Sequence, residues 1–311
     1  MELFLPIAHM DVNIVLILLY GCLVGFLSGL IGVGGGFLIT PLLIFTGIPP
    51  IVAVSSGAAQ MAGTAAGASY LHWRQGNIDV KMGLVLLTGS WLGAGSGVYL
   101  ANVLLRAGQF GNVVTFLYAI LLGLVGMSML IEALPAVLRA GAPAASRVRA
   151  AAAAKSWLRI WVERLPWQMA FPVSETRMSV LGPLALGAMV GVLTSLMGVG
   201  GGFIMVPVMI YALKMPIKIV VGTSLFQLLF TTAAVSVMQA GVNHAVDPVL
   251  ALLLILGSVF GTRFGARLGG RLPAEKLRLI FALVVVAVAV RMVVTLLVAP
   301  GDVYSMTIEL R

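Results

Sequence analysis

Residues 12–71 contain no Asp, Glu, Lys or Arg. A helix needs about 20 apolar residues to cross a bilayer's hydrocarbon core, so this run holds more than one crossing. The rest of the chain agrees. Only 9% of its residues are charged, against roughly 25% in soluble domains, too few to cover a globular surface of this size. The fold class that follows is all-α: a polytopic helical membrane protein.

Ten helical segments are expected, at about 12–31, 36–46, 51–71, 82–105, 112–131, 179–197, 202–213, 219–240, 248–268 and 279–298. The second and seventh are too short to cross about 30 Å alone at 1.5 Å per residue. Each follows a glycine-rich break. The first eleven residues hold Glu2 and Asp11 but no Lys or Arg. They lack the basic start of a signal peptide, so the apolar run from Val12 is read as a retained span.

The breaks belong to an internal repeat. Residues 24–37 read VGFLSGLIGVGGGF and residues 190–203 read VGVLTSLMGVGGGF, identical at ten of fourteen positions. The match continues through Pro41 with Pro207, Ser55-Ser56 with Gly222-Thr223, Gln60 with Gln227, Asp79 with Asp247, Gly89-Ser90 with Gly257-Ser258 and Gly93 with Gly261. Basic residues decide the relative orientation of the copies, because cytoplasmic loops are enriched in them. If the short segments each complete a crossing, sixteen of the 19 basic residues fall on one side. If they cross nothing, the division is eight against nine. The first arrangement gives five segments per half and two inverted repeats. It divides the chain into a first transmembrane repeat (1–131), a cytoplasmic linker (132–178) and a second transmembrane repeat (179–311). The expected location is the cell inner membrane, with both termini periplasmic. Within the linker, residues 155–165 (KSWLRIWVERL) read as an amphipathic helix lying on anionic lipid.

Inverted repeats with discontinuous helices place substrate sites near the bilayer midplane. The candidate site residues come first from the breaks: Gly34, Gly35 and Gly36, and Gly200, Gly201 and Gly202. Each break opens a short helix, whose N-terminus offers free N–H groups and partial positive charge to an anion. The third and eighth segments add Ser56 and Gln60, and Thr223, Ser224 and Gln227. Ser56 and Gln60 are four residues apart and share a face, as do Thr223 and Gln227. Ser55 lies on the same helix as Ser56 and Gln60; Ser90 and Ser258 are weaker candidates. Hydroxyls and amides donate to an anion without adding charge; alternatively they join helices. Arg291, the charged residue well inside a span, reads as a counter-ion or as a snorkelling side chain. Asp79 and Asp247 read as helix caps, with a proton relay as the sharper alternative. Gly63, Gly67, Gly93 and Gly97 read as packing residues.

Other classes lack their residues. The net charge of +9 sits in short loops, so nucleic acid is not an expected partner. Cys22 is the single cysteine, which rules out an intramolecular disulfide and a Cys-based metal site. His9, His72 and His244 share no metal-ligand spacing. No Lys follows the glycines as in a phosphate-binding P-loop, and no Ser/His/Asp set or paired intramembrane carboxylate exists. No metal, cofactor or enzyme activity is expected.

The duplicated GVGGGF–x–x–x–P segments, Gly32 to Pro41 and Gly198 to Pro207, resemble those of the TauE/SafE sulfite exporter family. So do GTSLFQ at 222–227 and its partner SSGAAQ at 55–60. The resemblance covers about residues 12–298. It implies a permease for sulfite, sulfoacetate and related organosulfonates; the residues themselves argue for an anion and leave sulfur to the resemblance. The expected partners are a small anionic substrate and the lipid bilayer; a homodimer is compatible with a sequence that does not fix oligomeric state. An anion channel, a carrier of another small carboxylate or anion, and a scaffold or sensor using the basic linker stand as alternatives.

Overall fold

The structure, a computed structural model, describes residues 2–31, 35–138, 167–171, 173–174, 176–211, 215–269 and 274–297. Its helices are α1 (Ile14–Ile31), α2 (Ile39–Phe45), α3 (Pro50–Arg74), α4 (Val80–Arg106), α5 (Phe110–Leu138), α6 (Leu181–Met197), α7 (Gly202–Tyr211), α8 (Ile217–Val242), α9 (Pro248–Gly269) and α10 (Ala274–Leu297). All ten expected segments are present, most ends displaced by a few residues and the end of α5 by seven, from 131 to Leu138. A single 3₁₀ turn, Gly35–Leu38, leads into α2. The expected helix at 155–165 and Gly34 lie outside the described residues.

Among the described residues, five stretches are long and apolar enough to cross a membrane by length and composition: Val80–Arg106, Phe110–Ile131, Lys218–Asn243, Pro248–Gly265 and Leu279–Leu297. The outward faces agree. Phe116, Ile120, Leu124 and Met127 on α5, and Leu283, Val290, Val294 and Leu297 on α10, are exposed. A patch of this kind is rare on a soluble monomer, whereas in a bilayer it meets acyl chains.

The packing interleaves the two halves. α1 lies along α9, α6 along α4, α3 along α8 and α5 along α10, each pair taking one helix from either side of the linker. Small residues make the closest pairs. A Cβ on Gly93 of α4 would stand 2.0 Å from the carbonyl oxygen of Ala188, and one on Gly261 of α9 2.0 Å from that of Cys22. Backbones meet where side chains are absent, the usual device for joining helices in lipid. Gly67 departs from its expected packing role, because nothing lies within 4 Å of the position its Cβ would take.

Two short hairpins depart from the all-helical expectation. β1 (Glu2–Leu5) pairs antiparallel with β2 (Met10–Asn13), and β3 (Gln168–Phe171) with β4 (Thr176–Ser179). Hence Val12 lies in a strand and α1 begins at Ile14. The hairpins stand directly before α1 and α6. They are related by the same offset of 166 positions that relates Gly36 to Gly202, with Pro6 matching Pro172.

α4 fixes the two ends of the bundle. Its 27 residues span about 40 Å. Asp79 caps its start by accepting a hydrogen bond from the Met82 N–H at 3.0 Å. Near its far end, Asn102 donates to Asn243 at 2.8 Å. Asp247, four residues beyond Asn243, caps α9 through the Val249 and Leu250 N–H groups, both at 3.1 Å. The two aspartates therefore sit at opposite ends of α4, each in the capping role read from the sequence.

Candidate functional site

The second glycine break is the more fully defined. α6 ends at Gly198, whose φ of +67° is a left-handed conformation that glycine adopts without steric cost. The Gly198 N–H donates to the Thr194 carbonyl at 2.8 Å. The Thr194 hydroxyl reaches the Val190 and Val199 carbonyls at 2.7 and 3.0 Å, tying the break to the helix it leaves. Gly201, with φ +65°, then starts α7: its carbonyl accepts from the Ile204 and Met205 N–H groups at 3.0 and 2.8 Å. α7 begins at Gly202, so its first N–H groups have no carbonyl within the helix to bond.

The two breaks come together on one side chain. A Cβ on Gly36 would lie 2.3 Å from Met61 Cγ, and one on Gly200 would lie 2.9 Å from Met61 Cε and 1.7 Å from Leu228 Cδ1. Met61 is on α3 and Leu228 on α8, and they correspond in the repeat. Both are buried, and they cluster with Ala65. What joins the breaks is thus an apolar contact that glycine permits and any Cβ would displace.

The glutamines immediately precede these two residues. Each turns toward the fourth helix of the other half. Gln60 Nε2 donates to Ser258 Oγ at 3.0 Å. Gln227 Nε2 donates to Ser90 Oγ at 2.6 Å and to Thr231 Oγ1 at 2.9 Å. The weak candidates Ser90 and Ser258 are therefore the glutamines' partners. Gln60 Oε1 and Gln227 Oε1 are buried without a hydrogen-bond partner. An acceptor left unpaired costs roughly 1–3 kcal/mol, so these oxygens favour a hydrogen-bond donor. Among the described residues the Ser90 and Thr231 hydroxyls accept from Gln227 and donate to no partner, so with the Gln227 amide turned over both could donate to Oε1, and the NH₂ would be free for an anion.

The hydroxyl candidates serve differently. Ser56 Oγ accepts from the Asp247 N–H, and Thr223 Oγ1 from the Asp79 N–H, both at 3.0 Å. Ser224 donates to the Val221 carbonyl at 3.0 Å. Arg291 is exposed on α10, with its guanidinium 4.9 Å from the centre of the Phe45 ring. Phe45 ends α2, about 13 Å along the chain axis from Gly36, so Arg291 stands away from the meeting point of the breaks.

Sequence reasoning missed four participants. Met61 and Leu228 were legible as the neighbours of a repeated glutamine. Thr40 and Tyr118 carried no repeat signal, since Val206 stands where the second half would have Thr40. The buried Tyr118 hydroxyl donates to the Met197 carbonyl at the end of α6. Thr40 Oγ1 lies 3.2 Å from where a Gly198 Cβ would be. Among the described residues, no three His, Cys, Asp or Glu side chains are grouped to hold a metal ion.

A family model described as sulfite exporter TauE/SafE matches residues 17–292. The chain belongs to the TauE/SafE sulfite exporter family. Curated relatives agree in kind. The probable membrane transporter protein YunE of Bacillus subtilis (strain 168) is 26% identical over 254 residues, which cover 79% of this chain and 85% of that protein. A probable membrane transporter protein of Xylella fastidiosa (strain 9a5c) is 27% identical over 282 residues, 87% of this chain and 91% of its own length. No solved structure matches. The protein is accordingly a multi-pass membrane protein of a transporter family.

Proposed function

We propose that this chain is an inner-membrane carrier that exports small anions, such as sulfite or organosulfonates, by alternating access between two inverted repeats. The observation that carries the reading is the meeting of both glycine breaks at Met61 and Leu228, next to the start of α7 at Gly202, whose first N–H groups have no carbonyl within the helix to bond and so favour an anion. An inverted arrangement is supported by Asp79 and Asp247, matched in the repeat, standing at opposite ends of α4. The distribution of basic residues supports it independently, and supports both termini lying outside the cytoplasm. Sulfur enters through the family.

Direction follows from charge. Moving one elementary charge through 100 mV is worth about 2.3 kcal/mol, and an inside-negative potential expels anions. Uptake would need a coupling ion. Export needs none, and no acidic residue lies deep in a span.

Proteoliposomes loaded with sulfite test this. Efflux is expected to saturate with concentration and to accelerate when the interior is made negative. Flux indifferent to both potential and anion would sink the reading. Flux that follows the potential without saturating would instead favour a channel.

A further inference from the structure

We infer that the two β-hairpins are latches, one at each end of the bundle, that fasten each half to the other and release alternately as the carrier opens. The inference rests on the carrier reading. It comes from two contacts that repeat the same design on Asp79 and Asp247, both fully buried.

Each aspartate is a three-way junction. At Asp247, Oδ1 caps its own helix through Val249 and Leu250. Oδ2 accepts from the N–H of Ile7, at the tip of the first-half hairpin, at 3.1 Å. The backbone N–H donates to Ser56 on α3. At Asp79, Oδ1 caps α4 through Met82. Oδ2 accepts from the N–H of Ser174, at the tip of the second-half hairpin, at 3.1 Å, and from its hydroxyl. The backbone N–H donates to Thr223 on α8. Ser56 corresponds to Thr223, and the tip residues 7–8 correspond to 173–174. One carboxylate oxygen thus serves the helix and the other serves the opposite half.

Apolar residues seat the hairpins. Leu5, Ala8 and Val12 are buried in the cluster that includes Ile17 and Leu250. Phe171 and Met178 are buried with Met82, Leu86 and Met205. A helix cap alone would not need a hairpin from the other half, nor the same hairpin twice. Any movement that separates the halves at one end must break that end's Oδ2 bonds, while the other junction can stay intact. Both junctions are closed in this structure.

Substitution by Asn separates the latch from the cap. Asn retains Oδ1, and Asn is as good a cap as Asp. Its NH₂ replaces Oδ2, so a donor then faces the backbone N–H of Ile7 or Ser174 at the hairpin tip. The reporter is Met61→Cys in a Cys22→Ser background, labelled with a membrane-impermeant maleimide applied to one face or the other. This readout needs no substrate, so it can fail or succeed whatever the anion proves to be. Asp247→Asn is expected to speed labelling about tenfold, the scale of one lost charge-assisted hydrogen bond, only from the face that carries residues 2–13. Asp79→Asn is expected to do the same only from the face that carries residues 168–179. Equal changes from both faces, or none in folded protein, would overturn the inference. If the Asn variants do not accumulate, Ser174→Ala removes one bond of the second latch. It is expected to give a smaller acceleration from the 168–179 face; no sided change would then overturn the proposal.

Discussion

The two glycine breaks share a sequence and differ in what holds them. The second is fixed by backbone. Gly198 and Gly201 have positive φ, and a Cβ on Gly198 would lie 2.5 Å from the Val54 carbonyl oxygen. The first, where described, is fitted against a flexible side chain: a Cβ on Gly36 would meet Met61 Cγ, Sδ and Cε. A methionine can repack, whereas a helix backbone cannot. Identical motifs therefore need not tolerate identical changes, and the two halves are expected to divide the work between a rigid and an adjustable break.

The largest effect expected from this difference is at Gly198. Gly198→Ala combines a left-handed conformation, costing about 1–2 kcal/mol for a residue with a Cβ, with a clash against backbone. A loss of about 3 kcal/mol is expected, read as a steep fall in the detergent melting temperature. A variant that melts like the parent would remove the idea of a backbone-locked break.

Rescue sharpens the contrast. Gly36→Ala is expected to reduce sulfite efflux by about tenfold, the effect of roughly 1.4 kcal/mol, and Met61→Ala in the same chain should restore much of it. Gly201→Ala presses on the Val190 side chain at 2.1 Å, but its φ of +65° remains wrong for alanine. Val190→Ala should therefore fail to rescue it. Rescue at both positions, measured as efflux from proteoliposomes, would make the two breaks equivalent after all.

Much of this was legible in the sequence because the constraints were repeated. Gly32 to Pro41 and Gly198 to Pro207 announce themselves by matching, and apolar runs set the helices to within a few residues. The hairpins were not legible. Residues 2–13 and 168–179 are too short to show periodicity, and Pro6 with Pro172 is nearly their only shared signal. Polar roles were legible only in part. Ser56 and Thr223 read as ligand groups from their spacing, and the structure adds that each accepts a backbone N–H from an aspartate junction. A hydroxyl's partner depends on a distant segment, which spacing along one helix does not encode.

The glutamines offer an intermediate effect. Gln227 binds both Ser90 and Thr231, whereas Gln60 binds Ser258, whose hydroxyl also donates to the Ile255 carbonyl. Gln227→Ala strands two buried hydroxyls and is expected to cost about 1–2 kcal/mol. Gln60→Ala strands none completely and should cost about 0.6 kcal/mol, the average of interhelical bonds in membranes. Melting temperatures of the two variants, compared in one detergent, decide the order. Equal losses would erase this asymmetry between the halves.

The smallest effect is expected at the fifth helices, each of which reaches the other half's broken segment by different chemistry. α5 sends the Tyr118 hydroxyl to the Met197 carbonyl, satisfying a helix end. α10 lays Arg291 over the Phe45 ring. A cation–π contact at an exposed position is worth roughly 0.5–1 kcal/mol, so Arg291→Gln should lower stability by about that much. Because the guanidinium stacks on the far end of α2 from Gly36, the sulfite concentration for half-maximal efflux should change less than about twofold, under 0.4 kcal/mol on the tenfold-per-1.4 scale. A counter-ion for the passing anion would behave otherwise: its loss would raise that concentration about tenfold or more with little change in melting. The pair of readouts separates an arginine that braces the adjustable break from one that meets the substrate.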